Sequence, residues 1–137
     1  MNCCSEPWRL SKLVLPQHTD HAGVMWHGAY LAWLEESRIE ALSKVGLSYK
    51  ALSDEGLEMP VVHLEMNYFR AILHGEVILI ESWSMPQDGA RWPWRAIFWG
   101  EDGKKAAESI VELVLVRNEK LRRKILRNVP AHLASAL

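Results

Sequence analysis

The sequence predicts an α+β domain in which one long helix packs on an antiparallel sheet. Three observations predict it. A 3.6-residue apolar period begins at His27, a two-residue alternation runs from Met59 to Trp99 and resumes at Ser109, and Asp-Gly pairs stand where that alternation breaks.

The elements follow in chain order. Trp8 to Leu15 reads as a first strand, closed by Pro16, which has no N–H to give a sheet interior. A loop from Gln17 to Trp26 comes next. From His27, Leu31, Leu34, Arg38, Leu42 and Val45 fall on one stripe, supported by Tyr30 and Ala41, while Glu35, Glu36, Ser37, Glu40 and Lys44 lie mostly elsewhere. That is a helix of about five turns. Gly46 supplies its stop, and Ser48 caps a short second helix that ends near Gly56. Val62, Leu64, Met66 and Tyr68 then share one face of a strand, Val77, Leu79 and Trp83 one face of the next, and Trp92, Trp94, Ala96 and Phe98 one face of a third. The Asp-Gly pairs within PQDGAR (86–91) and GEDG (100–103) suit tight hairpins, and Ser109, Val111, Leu113 and Leu115 continue the alternation into a last long strand.

At 137 residues and 49% apolar content the chain suits one globular domain, with a core over about 8–118 and a basic C-terminal tail over 119–137. Sixteen basic residues against seventeen acidic ones give a formal charge of −1, so no whole-domain field points to nucleic acid or an anionic membrane. Cys3 and Cys4 are adjacent and cannot form a disulfide framework, which fits a reducing, cytoplasmic setting. The first residues lack an apolar signal core, and no apolar run approaches the ~18 residues of a membrane span. A soluble protein that stays where it is made is the expectation.

The segment HTDHAGVMWHGAYLAWLEESRIEAL (18–42) carries the chemistry, with Asp20, Gly23, His27 and Tyr30 as its fixed points. A carboxylate seven residues ahead of a helix start can be carried back over the first helical turn, where backbone N–H groups are unpaired and suit a developing negative oxygen. A base or nucleophile and an oxyanion site are the minimum for hydrolysing an ester-like carbonyl. Read plainly, Thr-Asp before a glycine turn is also an ordinary loop in which Asp bonds its own backbone. His27 offers its main-chain N–H to an oxyanion whatever its imidazole does, and Glu35 or Glu36 can face a cleft or simply solvent.

Other groupings are weaker. His18, Asp20, His21 and His27 are metal-ligand types without HExxH or paired-Cys spacing. Trp92, Trp94 and Trp99 crowd one hairpin and read as core, subunit interface or acyl-pocket lining. Arg117, Lys120, Arg122, Arg123, Lys124 and Arg127 form a basic run, either a solvated tail or a clamp for the phosphates of a nucleotide-like carrier. No Gly-rich phosphate loop and no Gly-x-Ser-x-Gly elbow occurs, which disfavours a nucleotide hydrolase or a serine hydrolase.

The 18–42 segment resembles the Asp-x-x-Gly-x-x-x-His-x-x-Tyr motif and following Glu-x-x-Arg-x-Glu helix of the 4-hydroxybenzoyl-CoA thioesterase-like hotdog proteins, nearest the bacterial acyl-CoA thioesterase branch associated with the Tol–Pal system. Asp20 falls on that family's catalytic acid and His27 on its motif histidine; Tyr30, Glu35, Arg38 and Glu40 fall on matching helix positions. The likeness continues through GLSYKALSDEGLEMPVVHLEMNYFRAILHGEVILIE and extends to DGKKAAESIVELVLV and NVP. Two positions depart from the pattern: Ala71-Ile72 stands where Pro-Ala is expected after Tyr68, and Glu76 follows Gly75 in place of Asp.

The resemblance implies a hotdog fold, a sheet wrapped around the long helix, and a dimer with active sites between subunits, often paired into a homotetramer. It implies an acyl-CoA thioesterase with Asp20 and His27 catalytic and Gly23, Trp26, Tyr30, Glu35 and Tyr68 binding substrate. No metal or cofactor is required beyond the coenzyme A of the substrate. The alternative is a non-catalytic hotdog module that binds acyl-CoA or a protein partner, and a dehydratase on the same fold is a third reading.

Overall fold

A computed structural model describes residues 6–119 and 122–127; Cys3, Cys4, Lys120 and the NVP segment lie outside them. The elements are β1 (Trp8–Leu13), a single 3-10 turn (Pro16–His18), α1 (His27–Lys44), α2 (Tyr49–Asp54), β2 (Leu57–Glu58), β3 (Val61–Tyr68), β4 (Val77–Ser84), β5 (Arg91–Trp99), β6 (Lys105–Glu119) and β7 (Arg122–Leu126). The sheet has the order β1-β4-β5-β6-β2, with β3 and β7 also pairing to β6. Among the described residues no helix is long and apolar enough to cross a membrane.

The turn chemistry acts where the sequence placed it. Gly46 takes φ 83 and stops α1, and Ser48 accepts the Ala51 N–H to cap α2. Gly89 at φ 62 lets Asp88 and Arg91 exchange two backbone bonds, closing the β4–β5 hairpin. Arg122–Leu126, read from the sequence as part of a tail, instead pairs antiparallel with Leu115–Glu119.

The chain divides into two compact units. One takes the chain through Arg38 together with Met66–Trp83 and Ala96–Ser109. Here β1 pairs antiparallel with β4 from Trp8↔Ser82 to Leu13↔Val77, and Ile78, Ile80, Phe98, Ala106 and Ala107 are buried. The inward face of β4 is thus Ile78, Ile80 and Ser82, the opposite set from Val77, Leu79 and Trp83. Helix α1 meets this core through Tyr30, whose ring stands edge-on to Phe98 at 5.1 Å. The helical stripe is rotated from its sequence reading: Leu31 is 40% exposed, whereas Trp33 is 2% exposed. With Tyr30, Leu34 and Arg38 buried, Trp33 completes the i, i+3, i+4 face, and Leu31 sits a step of about 100° beyond Tyr30.

The other unit takes Ile39–Glu65, Ser84–Arg95 and the chain from Ile110 on. Trp92 and Trp94 are buried here with ring centroids 5.4 Å apart, and the Trp92 indole N–H donates to Ser84 Oγ at 2.8 Å. Leu113 and Leu115 are also buried, and Glu58 accepts from Asn118 and Arg123 where β2 meets β6. Most of β3 is exposed, including Val61, Val62, Leu64 and Tyr68, although its alternation is apolar.

Candidate active site

The loop that enters α1 is a short hairpin. Thr19 and Met25 form an antiparallel bridge, Trp26 donates its N–H to the His18 carbonyl at 3.1 Å, and Asp20 donates to the Val24 carbonyl at 2.8 Å. Gly23 makes the reversal possible at φ 79, a conformation costly for residues with a Cβ. The Asp20 carboxylate is drawn into this turn: its Oδ1 accepts the N–H of Ala22 at 2.9 Å and of Val24 at 3.1 Å. Asp20 is exposed, so its second oxygen faces solvent without a protein donor among the described residues.

The hairpin is fastened to the turn between β3 and β4. Met25 N–H donates to the Ile72 carbonyl at 2.8 Å, His74 N–H donates to the Gly23 carbonyl at 3.0 Å, and Val24 bridges Leu73. Where these segments meet α1 there is an open cleft of about 410 Å³, lined by Val24, Met25, His27, Tyr30, Tyr68, Phe69, Arg70 and Ala71. His27 opens α1, so its N–H and that of Gly28 have no acceptor within the helix. The helix macrodipole concentrates partial positive charge at the same place, which suits a developing oxyanion.

Tyr30 closes the cleft from the helix side. Its ring is edge-on to Tyr68 at 5.1 Å. Burial first, and Tyr68 second, push its pKa up to about 12, opposed by Arg70 and reinforced by Glu76. Arg70 is bound to Glu76 through both its terminal nitrogens. That pairing chiefly holds the Glu76 carboxyl below its ordinary range, against the opposing effect of burial.

His27, Tyr30 and Tyr68 therefore come together at the cleft. Asp20 and Gly23 stand on the hairpin beside it, outside its lining, and Trp26 lies over the start of α1. Glu35 is exposed on α1 and does not line the cleft, while Glu36 pairs with Lys12 at 3.2 Å. The tryptophans of the β5 hairpin are not part of it either: Trp92 and Trp94 are core, and Trp99 donates its indole N–H to Glu81 at 2.9 Å. The His18 ring accepts the Leu15 N–H at its Nδ1 and stands edge-on to Trp33 at 5.0 Å, and among the described residues no three His, Cys, Asp or Glu side chains are grouped as a metal needs.

Sequence reasoning missed Gly28 and Arg70, and it noted Glu76 only as a departure from the family pattern, not as a partner of Arg70. Glycine inside a predicted helix, where the interior favours alanine by up to about 1 kcal/mol, was the available signal for close approach of another group. Opposite charges six residues apart across the Gly75 turn were the signal for a fork, legible only once the turn's shape is known.

A long helix, this sheet order and a cleft at the helix N-terminus define a hotdog-fold protein. The model of the thioesterase-like superfamily matches residues 14–137, and the chain belongs to that superfamily. A Synechocystis protein named "Putative esterase" is 33% identical over 132 residues, covering 95% of this chain and 78% of its own. The 1,4-dihydroxy-2-naphthoyl-CoA hydrolase of Prochlorococcus marinus is 34% identical over 80 residues, a match that spans 53% of this chain and 52% of that enzyme. Among solved structures, the DHNA-CoA thioesterase of Staphylococcus aureus superposes with a TM-score of 0.83 at 25% identity, covering 95% of this chain and 87% of that one. The names of these relatives are those of ester and thioester hydrolases.

Proposed function

We propose that the protein is an acyl-CoA thioesterase of the 4-hydroxybenzoyl-CoA-like group, nearest its Tol–Pal-associated branch, with Asp20 as nucleophile or general base and the start of α1 as oxyanion site. The observation that carries the proposal is the 18–26 hairpin, which keeps an ionisable acid and the first N–H groups of α1 in one small, backbone-bonded unit at the edge of an aromatic cleft.

In this reading the thioester carbonyl accepts from the His27 N–H, and the acyl group lies between Tyr30, Tyr68 and Phe69. Asp20 Oδ1 is occupied by its own loop, so Oδ2 is the oxygen that acts. It either attacks the carbonyl carbon, expelling the coenzyme A thiolate and leaving a mixed anhydride that water opens, or takes a proton from water as that water attacks. A well-placed oxyanion donor contributes about 10²- to 10³-fold in rate. Gly23 shapes the turn and Trp26 covers the helix start, while Glu35 is exposed on α1 outside the cleft lining of a single chain.

A homo-oligomer belongs to this proposal. The exposed apolar face of β3, with Tyr68 and Phe69 at the cleft, is supporting ground for a second copy of the chain that completes the site. The binding-module reading keeps one observation in its favour, the engagement of Asp20 by its own turn. Free-thiol release from aromatic, short and medium acyl-CoA esters, compared with Asp20→Ala, separates the two. Turnover lost in a folded variant supports the enzyme. Saturable acyl-CoA binding with no thiol from any ester, even with the wild type, supports the module.

A further inference from the structure

The β3–β4 turn is closed by side chains as well as by backbone. Arg70 Nη2 donates to Glu76 Oε1 at 2.9 Å and Nη1 to Oε2 at 3.2 Å, a two-point fork. Nη1 also donates to the Ala71 carbonyl at 2.7 Å and Nη2 to Asp102 Oδ1 at 3.2 Å, while Glu76 Oε2 accepts the Leu73 N–H at 2.7 Å. The guanidinium lies so close to Gly100 that a Cβ there would stand 1.8 Å from Nη2, so glycine leaves the room the fork needs. Two carboxylates against one guanidinium leave no spare positive charge for a substrate phosphate. Arg70 Nε is buried without an acceptor among the described residues, a cost that the fork must offset.

The peptide groups held inside this closure are the ones that grip the candidate catalytic hairpin. Ile72 gives its carbonyl to Met25, Leu73 bridges Val24, and the His74 N–H reaches the Gly23 carbonyl. Glutamate at position 76, one methylene longer than the aspartate of the family pattern, accepts from both Arg70 and the Leu73 N–H.

We propose that Arg70 and Glu76 act together as a positioning clamp, fixing the Asp20–His27 hairpin through the β3–β4 turn. The inference rests on the reading of that hairpin as catalytic; neither residue is assigned a contact with the reacting atoms. The fork geometry is what matters, so a lysine that keeps the charge does not replace it.

The test compares Glu76→Gln and Arg70→Lys with Glu81→Gln, which breaks a charged pair with Arg9 away from the cleft. Each variant is first checked for fold by circular dichroism. Two readouts follow: amide exchange at Met25 and His74, and kcat and KM on the best ester of the acyl-CoA panel. In Glu76→Gln and Arg70→Lys the two amides exchange about tenfold faster or more. In the same variants kcat falls about 10- to 100-fold with KM within about twofold of the wild type. Glu81→Gln changes neither. Unchanged exchange in both clamp variants overturns the proposal, as does faster exchange with kcat intact, or an equal effect of Glu81→Gln. A wild type that releases no thiol from any ester defeats the thioesterase reading instead, and exchange at Met25 and His74 then decides the clamp by itself.

Discussion

The indole of Trp26 occupies the space that a side chain at Gly28 would fill: a Cβ there would lie 2.3 Å from the nearest ring carbon. Trp26 thus folds back over the first turn of α1, edge-on to His27 with centroids 5.1 Å apart. Gly28→Ala sets two effects against each other. Alanine favours the helix by about 1 kcal/mol. The displaced group is the far end of a side chain that is 47% exposed, free to swing outward. The expected outcome is an unchanged or slightly higher melting temperature with a raised KM, because the helix start loses its cover. A marked fall in melting temperature would show that the ring cannot leave.

Asp20→Asn separates the two duties of that residue. The amide keeps an oxygen to accept from Ala22 and Val24, so the turn survives, but the side chain can neither attack nor take a proton. Thiol release is expected to fall about 100-fold or more with thermal stability little changed. Equal loss of activity and stability would reduce Asp20 to a loop-forming residue.

Tyr30 makes stability fall at high pH. Its pKa rises from 10.0 to about 12 on folding, so its contribution is fully present below pH 10 and is lost as pH rises through about 12. Tyrosinate absorbance should show a late-ionising step, and Tyr30→Phe should remove it.

Glu76 acts at the other end of the scale. Its carboxyl is lowered from 4.5, so its contribution is present above that value and is lost as pH falls through the lowered one. Glu76→Gln should therefore flatten the acid limb of a stability–pH profile. A profile that keeps the wild-type acid limb would mean that the fork contributes nothing to folding.

The exposed face of β3 predicts the assembly. Leu64→Lys puts a charge in the middle of an apolar strand without touching the core of its own chain. Sedimentation should show a smaller species than the wild type, with circular dichroism unchanged. An unaltered mass would move the subunit interface elsewhere.

Much of this molecule is written locally. The glycine stop at Gly46, the Ser48 cap, the Asp-Gly hairpins and the two periodicities act over a few residues, so the order of the two helices and of strands β1 and β3 to β6 follows from the sequence alone, whereas short β2 and the pairing of β7 do not. The hairpin from Asp20 to His27 is equally local, since Gly23 and the Asp20 side chain make its turn within five residues. Which face of each element is buried was not local. Leu31 and Trp33 exchange places relative to the helical stripe, and Ile78 and Ile80 rather than Val77 and Leu79 point inward on β4, because either face of such a mixed pattern can be apolar and the neighbouring layer chooses between them. The apolar alternation of β3 was legible, but its exposure in one chain was not.

The tertiary structure alone decided the surroundings of the site. Met25 and Ile72, Arg70 and Asp102, and Tyr30 and Phe98 are distant in sequence and meet only when the sheet and helix are assembled. Sequence determined the acid, the glycine turn and the helix start, because each is a short-range backbone preference. The cleft, the late-titrating tyrosine and the Arg70–Glu76 fork depend on distances between elements, which no local pattern encodes.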